Sequence, residues 1–275
     1  MLRYILDKKS AAGYLCSRCH GDQYVKAREW HYQRCKKCGY AASSTGGTLF
    51  HKCKLGLWKA IEISFRVSVR KKGISGCELA KEFGCQQRSA WLWKAKIQEG
   101  IKSSGKHELT GNKEVDEFMV GGFSPGEPGR THGSKSLVVL GMEKVTDKKG
   151  KPGIGRAYCR VIGDGSADSL KNTFDEHIST QASVKTDGWR GYRPLGKDWE
   201  ITTENSDKGA NFSLLHIHIM NIKGWLRGID HQCDAHRLQK YLEEYHFRFN
   251  SRGFSTSIFD KIITKMVSTE PILIN

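Results

Sequence analysis

Asp116, Asp187 and Asn221 are spaced 71 and 34 positions apart and together offer two carboxylates and an amide carbonyl. That is a set of hard oxygen donors, the kind a divalent magnesium ion takes alongside water and substrate phosphate. Each aspartate stands in or just after a short apolar run, Val115-Asp116-Glu117-Phe118-Met119-Val120 and Val184-Lys185-Thr186-Asp187-Gly188-Trp189. A strand ending there can hold a carboxylate rigidly at the edge of a sheet. Asn221, in His218-Ile219-Met220-Asn221-Ile222-Lys223, can ligate through its carbonyl but can neither take up a proton nor bring negative charge. Taken singly, an aspartate at a strand end also serves as a cap or turn residue. Glu117 and Glu204 are the alternatives for a third ligand. His218, three residues before Asn221, shares its side of a helix; it is a candidate to orient a phosphate, with a packed structural imidazole as the alternative. Lys223 and Arg227 are candidates to contact phosphate.

A second constellation is built from sulfur. Cys16-x-x-Cys19 and Cys35-x-x-Cys38 are separated by fifteen positions, the two-knuckle spacing that folds four thiolates around tetrahedral zinc. Gly21 and Gly39 follow the pairs, and Tyr24–Ala27 and Trp30–Arg34 read as short strands of a ribbon. A redox dithiol or a pair of disulfides is the competing reading of the same cysteines. Cys53, Cys77, Cys85, Cys159 and Cys233 fall in no ligand spacing. A segment this small has little core, so zinc would supply much of its folding free energy.

The elements that must position these groups follow from charge and periodicity. The net charge is +16, and residues 1–100 carry 20 Lys and Arg against 7 Asp and Glu. The basic end is therefore the end expected to meet a polyanion. Leu57, Ile61, Phe65 and Val69 recur every four residues on one face of a helix. Ser75 and Glu78 have capping-box spacing, Gly84 supplies a turn, and a further helix begins near Gln86. Over residues 55–100 this is the layout of a helix-turn-helix, whose last helix would present Gln87, Arg88 and Lys94 to the major groove. Residues 100–112 have linker composition.

Beyond the linker, strands are expected over Val115–Val120, Ser136–Gly141, Ala157–Ile162 and Ser183–Thr186, with a helix over Ala167–Ile178 and a mainly helical end. Arg130, with His132 and Lys135, lies in a loop that suits a DNA-facing arm or a plain surface hairpin. The stretch after Arg252 shows no informative pattern. No run approaches the roughly 20 apolar residues of a membrane span, and the N-terminal residues lack the apolar stretch of a signal peptide. A cytoplasmic, non-membrane protein is expected.

From about residue 14 to residue 252 the sequence resembles the DDE superfamily of insertion-sequence transposases, in a bacterial branch with an N-terminal zinc ribbon and sometimes Asn as third residue. The matches are Asp116-Glu117 with Val120-Gly121-Gly122, Asp187-Gly188-Trp189, His218-x-x-Asn221-x-Lys223-x-Trp225-Leu226 and Arg248-Phe249-Asn250-Ser251-Arg252. The resemblance implies an α/β ribonuclease H-like catalytic domain over residues 113–252, preceded by the ribbon (14–50) and the helix-turn-helix (55–100). In that fold the first and fourth strands are neighbours. It further implies a transposase that binds element ends and cuts and joins DNA with magnesium or manganese, with Asp116 bridging two ions while Asp187 and Asn221 each hold one. Zinc would be structural. Double-stranded DNA, as element end and as target, would be the partner, and the chain would act as a homo-oligomer on it. A silent DNA-binding protein derived from such an element is the alternative.

Overall fold

A computed structural model describes residues 1–11, 13–121, 135–229, 235–253 and 257–272. The chain divides into two compact units, Met1–Ile101 with Gly253–Asn275 and Lys102–Arg252, and the division falls inside the stretch with linker composition. No helix among the described residues is long and apolar enough to cross a membrane.

The first unit opens with helix α1 (Leu2–Ala11). An antiparallel ribbon follows, made of β1 (Tyr24–Lys26), β2 (Tyr32–Cys35) and β3 (Ala41–Ser43) in that spatial order. Three helices come next, α2 (Leu57–Val69), α3 (Gly76–Phe83) and α4 (Gln87–Gly100). The capping box forms as its spacing predicts: Glu78 N–H donates to Ser75 Oγ at 3.2 Å, and Ser75 N–H donates to Glu78 Oε2 at 2.9 Å. Gly84 ends α3 at φ +55°, a left-handed cap in which a Cβ would be strained.

The buried face of α2 differs from the four-residue stripe. Ala60, Ile63, Ser64 and Val67 face inward, whereas Phe65 and Val69 are 40% and 52% exposed. Small side chains decide this, because Ala60 and Ser64 let α4 close in until the Trp93 indole donates to Ala60 O at 2.7 Å. The segment after Arg252 is not patternless in space. It carries a helix, Ile258–Ser268, whose Met266 backs onto Ser64, and Tyr4 of α1 hydrogen-bonds its Asp260 at 2.5 Å.

The second unit is a five-stranded mixed sheet with helices on both faces. Its strands are β4 (Asn112–Val120), β5 (Ser136–Thr146), β6 (Pro152–Ile162), β7 (Ser183–Thr186) and β8 (Glu200–Thr203), ordered β6-β5-β4-β7-β8. β4, β5 and β6 run antiparallel, and β7 and β8 run parallel to β4. Helix α5 (Ala167–His177) covers one face, while α6 (Ser213–Ile229) and α7 (Ala235–Asn250) cover the other. Because both faces are covered, β5 reads as an unbroken apolar run: Leu137 and Val139 pack towards α5, and Val138, Leu140 and Met142 towards α6 and α7. This is a ribonuclease H-like α/β fold, as the resemblance implied. Strand β8 escapes sequence reading because Glu200-Ile201-Thr202-Thr203 offers one strong apolar residue, enough for an edge strand but no pattern.

Helices α6 and α7 meet through paired imidazoles, with His218 Nε2 and His246 Nε2 3.3 Å apart. His246 Nδ1 lies 2.8 Å from Leu242 O, which can only accept, so that nitrogen carries the proton and His218 donates to His246. Burial lowers the pKa of His218 to about 4, with Arg252 adding to the effect. Burial, then the neighbouring His218, lowers that of His246 to about 3. Both rings take protons more readily in the unfolded chain, near its ordinary value of about 6.5. Their contribution is therefore complete above about pH 6.5 and drains as pH falls towards about 4, by on the order of 3 kcal/mol for His218 alone. Urea unfolding followed against pH should show this loss, and the double variant His218→Leu/His246→Leu should flatten it. A wild-type midpoint unchanged across that window would contradict the assignment.

Candidate active site

Parallel pairing of β4 with β7 sets Val115 opposite Thr186. One step further along the same register brings Asp116 beside Asp187, just where β7 leaves the sheet. β4 keeps its partner on the other side, with Asp116 opposite Leu140 of β5. The departure of β7 thus opens a notch against a strand still held straight, and both aspartates are half-buried in it. Their oxygens are fixed from the backbone: Glu117 N–H donates to Asp116 Oδ1 at 2.8 Å, and Trp189 N–H donates to Asp187 Oδ1 at 3.0 Å.

Carboxylate oxygens of Asp116, Glu117 and Asp187 all lie within 4.8 Å of one another. Three negative groups so close repel unless a cation joins them, and oxygen donors at this spacing suit a hard divalent ion. Sequence reasoning weighed Glu117 only as an alternative, since it does not stand in the motif that matches the family's third residue. Its neighbour on the α5 face is Tyr192, 1% exposed, whose hydroxyl is held far above its ordinary pKa by burial and then by Glu117, Asp116 and Asp187. Tyr192 is the residue the sequence reading missed. It stands five residues after Asp187, and a 3-10 turn over Arg190–Lys197 brings it back under the sheet, with no pattern in the sequence to mark it.

Asp116 shares its face of β4 with Phe118, which packs against α6. Lys223 of α6 reaches over the Phe118 ring at 5.6 Å. Its pKa is lowered, first by burial and then by the charges of Arg227 and Lys135. Asn221 occupies an exposed position on the same helix. Glu204 instead forms an ion pair with Lys185.

Two expectations need correction. His218 is 1% exposed and ringed by Tyr245, His246 and Phe249 of α7, so it packs α6 onto α7 instead of touching a substrate. Lys94 is 2% exposed and donates to Ile74 O at 2.8 Å, which removes it from any groove-facing surface. The helix-turn-helix layout placed it outward, but from Ala90 onwards α4 is buried or half-buried at every position. Gln87 and Arg88, at the start of α4, are exposed. Arg130 lies outside the described residues.

In the ribbon, Sγ atoms of Cys16, Cys19, Cys35 and Cys38 lie within 4.8 Å of one another, with Cys16–Cys38 at 3.6 Å and Cys19–Cys35 at 3.5 Å. Zn–S bonds of about 2.3 Å in a tetrahedron set sulfurs about 3.8 Å apart, so the donors fit zinc. Gly21 is part of the cradle: a Cβ there would stand 3.3 Å from Cys35 Sγ and 3.2 Å from Lys37 Cβ.

A ribonuclease H-like sheet with carboxylates gathered where its first and fourth strands part defines a class of folds whose acidic groups could hold a metal ion. Within that class, the ISXO2-like transposase domain matches residues 108–250, just over half of the chain, and the chain belongs to this family of DDE transposases. No curated protein matched the chain. Membership implies transposase function and DNA as partner.

Proposed function

We propose that this chain binds the ends of an insertion sequence, cuts a DNA strand there and joins the freed end to a target. The observation that carries this reading is the carboxylate cluster of Asp116, Glu117 and Asp187 inside a domain of the transposase family. A pair of magnesium or manganese ions would supply an activated oxygen nucleophile and neutralise charge building at phosphorus. Asp116 and Asp187 are the ligands whose orientation the backbone fixes. Asn221 or Glu117 would complete the set; Asn221 adds a donor without charge. Lys135, Lys223 and Arg227 would hold the phosphates of the strand on the Asp116 face, and Tyr192 would keep Glu117 placed from below. Cleavage and joining would reuse one site, with water and then a DNA 3′-hydroxyl as nucleophile, so no side chain need form a covalent intermediate. Several copies of the chain would assemble on the DNA.

Labelled DNA from the flanks of the coding region, incubated with the chain and magnesium or manganese, tests the reading. Site-specific nicks and joined products that vanish in Asp187→Ala are the expected result. Tight binding with no cleavage by the wild type would leave a silent DNA-binding protein. End recognition itself is assigned to the exposed start of α4. Arg88→Ala should weaken binding to the end DNA by about 1–3 kcal/mol, the worth of a good base contact, without moving the thermal midpoint. Lys94→Ala should instead lower stability by about 1–3 kcal/mol, because it orphans the Ile74 carbonyl. Gel shifts and melting curves of the two variants would separate these effects, and the reverse pattern would refute the assignment.

A further inference from the structure

Beside the carboxylates lies a cleft of about 400 Å³ that the proposed function leaves unused. Its walls are the loop entering α5, residues 164–167, and the turn after Asp187 that carries Trp189, Arg190 and Pro194. Trp189 ties cleft and site together: its backbone N–H donates to Asp187 Oδ1 at 3.0 Å, and its indole N–H donates to Gly165 O at 2.9 Å. The two walls meet only because of a glycine. A Cβ on Gly191 would stand 2.5 Å from Gly165 O and 2.6 Å from the indole nitrogen.

The start of α5 is not what invites a ligand. Ser166 caps it, and Asp164 Oδ1 already accepts from Ser166 N–H, Ser166 Oγ and Ser169 Oγ at 3.1, 2.6 and 2.7 Å. A carboxylate there disfavours an anion. What the cleft offers is a flat indole, the ring of Pro194 and the exposed guanidinium of Arg190, 5.6 Å from the indole centroid. Flat apolar walls take an aromatic ring, and a cation at the mouth takes the phosphate attached to it. The volume lies at the small end of ligand clefts, about 300–1,000 Å³, too small for a duplex. Trp189 stands two residues from Asp187 and Arg190 three, spans of at most about 7 and about 11 Å, so the cleft adjoins whatever phosphate Asp187 serves.

We propose that this cleft receives one unpaired nucleobase of DNA, adjoining the phosphate held at Asp116 and Asp187, stacked on Trp189 with Arg190 at its backbone. The inference rests on the strand-cleaving reading above. Its consequence is a preference for DNA whose base beside the cut is already unpaired, because the cost of unstacking is then smallest.

The test uses the full chain with duplexes carrying 5-iododeoxyuridine, either in a one-base bulge or fully paired, in calcium so that the strand stays intact. After irradiation and trypsin digestion, the bulged probe should crosslink to the peptide Thr186–Arg190 at least about tenfold more than the paired one. Arg190→Ala, an exposed change, should weaken binding of the bulged duplex roughly fivefold and leave the paired duplex unaffected. Crosslinks on other peptides, equal crosslinking of both probes, or none from bound bulged DNA would overturn the proposal. Nicking in magnesium is scored separately on the wild type. Nicking with misplaced crosslinks removes only the cleft; crosslinks on Thr186–Arg190 without nicking remove the cleavage reading and leave a nucleotide-binding cleft.

Discussion

Removing zinc with a chelator is expected to unfold the ribbon of residues 14–50 outright. The hydrophobic cluster at the knuckles holds Tyr14, Cys16 and Cys35, with Cys19 and Tyr24 partly buried against it. Three of those five are the candidate zinc ligands Cys16, Cys19 and Cys35 and add little apolar burial of their own. So small a knuckle buries little apolar surface, and structural zinc contributes on the order of 10–16 kcal/mol in comparable peptides. Cobalt substitution gives the readout, since four thiolates in a tetrahedron produce intense charge-transfer absorption. That absorption should appear on loading and disappear on chelation, with all four cysteines becoming reactive to a thiol reagent. Cys38→Ser, the exposed ligand, should weaken metal binding strongly while leaving three sulfurs in place. A chelated chain whose ribbon amides stay protected from exchange would contradict this account.

The second large effect concerns cleavage. Asp187→Asn keeps the shape of the side chain and can still accept the Trp189 N–H, so the turn after β7 should survive. What it loses is the charge that a divalent ion needs. Outer partners of a metal ligand already cost about 10–100-fold, so loss of a ligand itself should lower the single-turnover nicking rate on the order of a thousandfold. DNA affinity should change little, since the basic residues that would bind phosphate are untouched. Asp116→Asn should behave alike, because the register of β4 and β7 makes the two aspartates neighbours. A fall in DNA affinity that accounts for the whole loss of rate would instead point to a binding role for these carboxylates.

How much of this was written legibly in the chain depended on the range of the signal. The cysteine knuckles and the Ser75–Glu78 box are local, and local spacing fixed their geometry. The strands carrying Asp116 and Asp187 were legible as apolar runs, but their adjacency was not, and only the resemblance supplied it. Phe65 shows the limit of periodicity, which reports that a helix has faces, not which neighbour will cover each, and the helix-turn-helix layout that put Lys94 outward is silent on the same point. For His218 the sequence left a phosphate-orienting role and a packed imidazole open, and its surroundings are set by α7, twenty-eight residues further along. Tyr192 and the basic group of Lys135, Lys223 and Arg227 assemble from separate segments, and no single stretch of sequence displays them.

Asp116 and Asp187 are expected to share one divalent-cation site, and a manganese titration followed by electron paramagnetic resonance tests this most directly. Zinc-loaded wild-type chain should bind manganese at a saturable site that Asp116→Asn and Asp187→Asn each abolish. If both variants, folded and zinc-loaded, bind manganese as the wild type does, the carboxylates do not share an ion and the catalytic account fails.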